Sequence, residues 1–365
     1  MRVLLAGGGT GGHVYPGIAV ARALEEELRA RSAPLELLYV GVRGRVDETI
    51  VPHEGIAFRA VAAGQLRVAS PLTFARNMLK LGQGVAQSVG ILRGFRPDVV
   101  FATGGYASVP VGVAARLLRR PLVVYLPDVT PGWAVRLLAR LATRMATTSE
   151  RALAHLPAAR ATVVGYPVRR EFWTADREEA RAALGVAPER PLLLVTGASL
   201  GAHAINEALI RALPRLLARC DVLHMTGAAD EPLARAERAK LPPEDQARYH
   251  VRAYIDDMPA AMRAADLCVT RAGASTLGEL PAAALPAVLV PGEYEGWSQA
   301  PNAEYLQSAG AAVMLRQADL HRLADVVLEL LDDPARVGAM RSAAARLARP
   351  EAARDMARLL IEVAA

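Results

Sequence analysis

Leu4-Leu5-Ala6-Gly7-Gly8-Gly9-Thr10-Gly11-Gly12-His13 joins a short apolar run to five glycines within six residues. The run from Arg2 to Ala6, with β-branched Val3, reads as a buried strand. The glycines call for a tight turn with exposed backbone. Beyond it, Pro16 falls where a first helical turn tolerates proline, and Ile18, Ala21, Leu24 and Leu28 recur at helical spacing. Strand, turn and helix open a βα unit whose amide-lined crevice suits an anion or a polar ligand. The glycines match G-x-G-x-x-G only loosely, and no acidic residue closes a second strand about 20 residues on. No Gly-Lys-Ser/Thr follows either, so the turn is neither a dinucleotide fingerprint nor a P-loop. His13 stands at its lip, a residue type that titrates near neutrality; capping the helix is its plainer role.

The chain has 365 residues, which predicts two domains, and 52% of them are hydrophobic. Cys220 and Cys268 each lie in an apolar run, which reads as buried thiols in a reducing compartment rather than a disulfide or zinc framework. No signal peptide is read ahead of the first strand. The longest uncharged stretch, Val99 to Ala115, is broken by glycines and falls short of the roughly 18–20 residues of a membrane span. Residues 1–165 carry 20 Lys+Arg against 10 Asp+Glu, net +10, while the remainder carries 23 against 27, net −4. The basic half points to an anionic partner: nucleic acid, anionic lipid or a phosphate-bearing substrate. An arginine-rich composition with only Lys80 and Lys240 as lysines is the alternative source of that charge.

Strands alternate with helices along the first half: Leu35 to Val40, Ile56 to Ala62, Pro97 to Ala102, Pro121 to Tyr125, Met145 to Thr148 and Thr162 to Val164. Helices are predicted from about Pro110 to Leu118 and from Ala134 to Leu141. The pattern restarts after Gly165-Tyr166-Pro167-Val168-Arg169, with apolar runs at Pro191 to Thr196, Val222 to Met225, Val251 to Tyr254, Leu267 to Thr270 and Ala287 to Val290. The tail from His321 reads as helical throughout. The fold class is therefore α/β: two Rossmann-like, doubly wound parallel-sheet domains facing a cleft. Their expected bounds are 1–165, with a helix at about 344–365 packing back on it, and 166–343.

Two turns of the second half, Gly197 to Gly201 and Gly273 to Thr276, each run into a helix whose free amides suit a diphosphate, with Ser199, Ser275 and Thr276 adding hydroxyls. Glu279, in the first turn of its helix, is placed to accept hydrogen bonds from a ribose diol, dipole complementarity being the plainer role. These features suggest a nucleotide-sugar diphosphate. No metal-ligand spacing is present, so no metal site is expected and Arg169 is the natural cation for the diphosphate.

Taken in order, Gly7 to His13, Gly104-Gly105-Tyr106, Gly165 to Arg169, Ile255-Asp256-Asp257-Met258, Arg271 to Glu279, and Gln299 with Asn302-Ala303 closely resemble the MurG family of peptidoglycan N-acetylglucosaminyltransferases. The resemblance covers Val3 to about Leu315. It implies a GT-B glycosyltransferase fold and inverting transfer of N-acetylglucosamine from UDP-N-acetylglucosamine to lipid I, undecaprenyl-diphospho-MurNAc-pentapeptide, giving lipid II. It implies no tightly bound cofactor, a polyprenyl-diphosphate acceptor rather than nucleic acid, and a peripheral position on the cytoplasmic face of the cell membrane. Carried onto this chain, Thr10, Gly11, Gly12, Arg169, Ser199, Leu200, Gly201, Ile255, Gly273, Ala274, Ser275, Glu279, Gln299 and Asn302 would contact the UDP-sugar. Gly104, Gly105 and Tyr106 would lie on the acceptor side, with His13 as general base or orienting group.

The chain departs from the family pattern at Tyr125-Leu126-Pro127-Asp128, where His-Glu-x-Asn is usual, and at Ser199-Leu200, His203, Gly296 and Tyr166. The first departure makes Asp128 a second candidate base and bears on the identity of both acceptor and sugar. Leu66 to Arg96 interleaves Leu72, Phe74, Met78, Leu79 and Leu81 with Arg67, Arg76, Lys80, Arg93 and Arg96, a pattern suited to an anionic membrane surface; a helix covering the sheet is the plainer reading. The alternatives are a related transferase with another acceptor and, more remotely, a UDP-sugar 2-epimerase.

Overall fold

A computed structural model describes residues 1–9, 11–64, 71–187, 189–198, 201–294 and 297–365. It consists of two units, 1–169 with 349–365, and 170–348.

In the first unit the strands are β1 (Arg2–Ala6), β2 (Glu36–Gly41), β3 (Ala57–Ala60), β4 (Val99–Ala102), β5 (Leu122–Leu126), β6 (Arg144–Thr147) and β7 (Ala161–Val163). They form a parallel sheet in the order β3-β2-β1-β4-β5-β6-β7. Apolar runs such as Val3-Leu4-Leu5-Ala6 and the whole of β5 are fully buried, because helices cover both sheet faces. Leu4, Val40, Val100 and Val124 meet Val111 and Leu138 of the helices Ser108–Leu117 and Trp133–Leu141 in one core. The helix Ala352–Ala364 packs on the helix Gly11–Ala30 (α1), where Arg354 and Arg358 reach Glu27 at 3.5 and 3.3 Å.

The second unit repeats the plan with β8 (Leu192–Thr196), β9 (Asp221–Met225), β10 (Tyr249–Arg252), β11 (Leu267–Thr270) and β12 (Ala287–Leu289). A short antiparallel pair, β13 (Glu293–Tyr294) and β14 (Trp297–Ser298), precedes β15 (Ala312–Met314). The parallel order is β10-β9-β8-β11-β12-β15. Leu193, Val195, Val269 and Val288 pack against Leu209, Leu213, Val327 and Leu330.

Two expectations are corrected. Pro16 does not lie in a first turn: α1 begins at Gly11, so the proline is interior, and tertiary hydrogen bonds support the turn before it. The tail is not one helix but the helices Leu323–Leu331, Pro334–Leu347 and Ala352–Ala364. Asp333 starts the second by accepting from the Arg336 amide at 2.9 Å ahead of Pro334, and Pro350 precedes the third. The helix Val46–His53, between β2 and β3, carried no clear periodic signal. No helix among the described residues is long and apolar enough to cross a membrane.

Candidate functional site

In the first unit the strand order reverses between β1 and β4, the switch point of the sheet, and a loop leaves the carboxyl end of each strand there. The glycine run leaves β1; Thr103 to Tyr106 leaves β4. Gly105 sits at φ +79° with its open side on the Gly8 carbonyl, so a side-chain carbon at that position would collide with the first loop. His13 reaches the end of β4, its Nδ1 2.8 Å from the Thr103 carbonyl oxygen, and the Thr103 hydroxyl donates back to the His13 carbonyl at 2.7 Å. A carbonyl can only accept, so neutral His13 carries its proton on Nδ1 and keeps the lone pair on Nε2. Its ring packs beside Gly104, and Tyr106 is 40% exposed.

Asp47 escaped the sequence reading. It is fully buried, and its carboxylate accepts from the amides of Gly9 at 3.3 Å and Val42 at 2.7 Å, tying the glycine loop to the end of β2. The signal lay in the chain, an acidic residue just past the second strand, but 38 residues beyond the Gly9 it holds. Asp128 lies half-buried two residues past β5, after Pro127, whose carbonyl accepts from the Thr148 hydroxyl at 2.8 Å. Burial raises the Tyr125 hydroxyl above its ordinary range, and that hydroxyl donates to the Gly165 carbonyl at 3.0 Å. Arg169 lies with its guanidinium 4.5 Å over the Tyr15 ring of α1, and the Tyr166 hydroxyl donates to the Gly12 carbonyl at 3.1 Å. The structure thus gathers Gly11, Gly12, His13, Gly104, Gly105 and Arg169 around the first turn of α1.

In the second unit the strand order reverses between β8 and β11, and the turns after these strands are the two singled out by sequence. Gly201, at φ +75°, lies against the Thr226 carbonyl with no room for a side chain. Ala198 donates its amide to the Thr196 hydroxyl at 3.0 Å, and the helix His203–Leu217 follows. After β11, Gly273, Ala274 and Ser275 lead into the helix Thr276–Ala283, where the Thr276 hydroxyl donates to the Gly273 carbonyl at 2.6 Å. Glu279 is half-buried in the first turn of that helix, and Ile255 is half-buried in the loop after β10. Asp257 caps the next helix by accepting from the Ala260 amide at 3.0 Å. Thr10, Ser199 and Leu200 lie outside the described residues.

Gln299 and Asn302 are buried, and their amides build the loops. Gln299 Oε1 accepts from the Gly292 amide at 2.8 Å, and Asn302 Nδ2 donates to the Ala272 carbonyl at 3.0 Å. His203 accompanies Asp230, Nδ1 to Oδ1 at 2.9 Å, and this bond raises the imidazole pKa. Among the described residues, no group of three or more His, Cys, Asp or Glu could hold a metal ion.

Family models for the N-terminal and C-terminal domains of glycosyltransferase family 28 match residues 3–147 and 192–356. A UDP-N-acetylglucosamine–N-acetylmuramyl-(pentapeptide) pyrophosphoryl-undecaprenol N-acetylglucosamine transferase of Roseiflexus sp. (strain RS-1) is 39% identical, covering 99% of this chain and 94% of that protein. The crystal structure of Acinetobacter baumannii MurG superposes with TM-score 0.74 at 24% identity, covering 99% of both chains. A UDP-GlcNAc 2-epimerase from Neisseria meningitidis, bound to UDP-GlcNAc, gives TM-score 0.73 at 12% identity over 99% of this chain and 100% of that one, a likeness of fold.

Proposed function

The chain belongs to the MurG-type N-acetylglucosaminyltransferases of glycosyltransferase family 28, and from that membership we propose that it transfers N-acetylglucosamine from UDP-N-acetylglucosamine to lipid I, giving lipid II. The activity is the one carried in the names of relatives matched over 94% and 96% of their length. The observation that carries the chemistry is the His13–Thr103 pair, which leaves Nε2 of a neutral imidazole as the proton acceptor. In the proposed step, His13 takes the proton of the acceptor hydroxyl as that oxygen attacks the anomeric carbon from the face opposite UDP, inverting the centre. Asp128 stays the second candidate for that role.

The donor belongs to the second unit. Amides at the amino termini of the helices His203–Leu217 and Thr276–Ala283 face the charge that grows on the departing diphosphate, where preformed dipoles act without reorganisation. Glu279 receives the ribose hydroxyls, and Ile255 borders the uracil. Gln299 and Asn302 shape the sugar pocket through the loops they hold. Arg169 adds positive charge for the diphosphate, its orientation set by Tyr15. The acceptor's polyprenyl tail lies in a membrane surface met by the first unit, where Met78 and Leu79 are exposed on the helix Pro71–Phe95 beside exposed Arg76 and Lys80.

A donor panel tests the reading. UDP-N-acetylglucosamine at about 100 Kd should stabilise the protein by about 2.7 kcal/mol, with ADP, GDP and dTDP sugars giving far less. Lipid I should then yield a disaccharide lipid with release of one UDP. Preference for a non-uridine donor overturns the donor assignment; conversion of UDP-N-acetylglucosamine to another UDP-sugar without acceptor overturns transfer.

A further inference from the structure

This inference rests on the reading of His13 as the group that takes the acceptor's proton. We propose that Tyr166 is a positioning residue for that step: its hydroxyl replaces the main-chain donor that Pro16 removes from α1, and so holds the turn bearing His13.

Within an α-helix the carbonyl of residue 12 takes its hydrogen bond from the amide of residue 16. Pro16 has no N–H, and its ring crowds the carbonyl four residues earlier, so this bond cannot form and the first turn of α1 is loosened where it carries His13. The Tyr166 hydroxyl fills the gap, donating to the Gly12 carbonyl at 3.1 Å from a side chain only 3% exposed. The hydroxyl is itself held in place. Tyr166 packs against Tyr125 with ring centroids 6.4 Å apart, and Tyr125 donates to the Gly165 carbonyl, the main chain immediately before Tyr166. Thr103 in turn holds His13 by both its carbonyl and its ring. Residues 12 and 13 are thus gripped from the end of β4 and from the segment 165–169, whose Arg169 also lies over Tyr15 one turn along. Losing the Tyr166 grip lets the turn tilt about Pro16 and moves Nε2. A displacement of about 1 Å at a reacting group can cost up to about a hundredfold in rate.

The test pairs two substitutions. Tyr166→Phe keeps the ring packing and removes the donor; kcat should fall about tenfold with the KM for UDP-N-acetylglucosamine unchanged, the split expected when only the reacting geometry is disturbed. Pro16→Ala restores a main-chain N–H to the Gly12 carbonyl, so Tyr166→Phe in that background should change kcat less than about twofold. A hydroxyl that merely stabilised the fold would give the same loss in both backgrounds, and that result overturns the proposal, as does full activity of Tyr166→Phe. His13→Ala separates the premise from the inference. If His13→Ala keeps wild-type kcat, the reading of His13 fails and takes the proposal with it. If His13→Ala is inactive while Tyr166→Phe is silent, the positioning role alone fails.

Discussion

His224, at 0% exposure in β9, has both ring nitrogens engaged, and the bond directions follow by elimination. Asn206 spends its two Nδ2 hydrogens on the Thr226 carbonyl at 2.8 Å and Asp230 Oδ2 at 2.7 Å. Its Oδ1 therefore accepts from His224 Nε2 at 3.0 Å, and His224 Nδ1 accepts from the Tyr249 hydroxyl at 2.7 Å. The ring is neutral, and burial pushes its pKa down to about 3. The unfolded histidine binds a proton near pH 6.5, so between about 6.5 and 3 the unfolded chain holds more protons than the folded one. The contribution of His224 is fully present above that window and is lost as pH falls through it, with a slope of up to about 1.4 kcal/mol per pH unit. His250, also lowered by burial, steepens the same limb. Exposed His203, raised by its bond to Asp230, works the other way, its contribution fading as pH rises through its folded value. Urea titrations from pH 4 to 7 should show unfolding free energy climbing with pH and the climb flattened in His224→Gln. An unchanged slope in that variant removes His224 from the account.

At the scale of elements, both units set their candidate loops at the carboxyl edges of their sheets, while in the second unit a charge cluster fastens the amino edge. Asp266, just before β11, pairs with Arg177 at 2.6 Å and Arg181 at 3.3 Å and accepts from the Leu192 amide of β8 at 2.9 Å. Arg181, 6% exposed, also donates to the carbonyls of Ala264, Ala187 and Arg190. Asp266→Ala strands that buried guanidinium. Breaking one side of a buried pair costs about 3–5 kcal/mol, and because the Asp266 side chain is 26% exposed, a loss of about 2–3 kcal/mol is expected by chemical denaturation. The KM for the donor should stay unchanged, since this cluster lies at the opposite end of the strands from the turns after β8 and β11. A shifted KM with normal stability would contradict that division between edges.

For the whole molecule the decisive asymmetry is electrostatic: residues 1–165 carry a net +10. Met78 is 43% and Leu79 77% exposed on the helix Pro71–Phe95, whose Leu92 is buried, so the helix both covers the sheet and presents apolar side chains outward. Covering the sheet and the proposed meeting with a membrane are therefore compatible. Vesicles containing anionic lipid should carry the protein in flotation, neutral vesicles much less, and raised salt should release it. Leu79→Glu, which adds a negative charge to the exposed face, should reduce recovery several-fold. Equal recovery on neutral and anionic vesicles would refute the electrostatic component.

The sequence by itself determined the doubly wound fold and the family. Both reside in local windows: continuous apolar runs such as Leu192 to Thr196 that only a two-face-buried strand explains, and glycine turns at the ends of β1, β4, β8 and β11. Tertiary structure alone decided how these pieces act on one another. Thr103, 90 residues away, selects the His13 nitrogen that keeps a lone pair; Asp47 braces the glycine loop; Tyr166 answers the donor missing at Pro16; and the side chains of Gln299 and Asn302 bind main chain. Apolar periodicity is a property of neighbouring residues, whereas a hydrogen bond depends on which distant loops the strand order sets side by side.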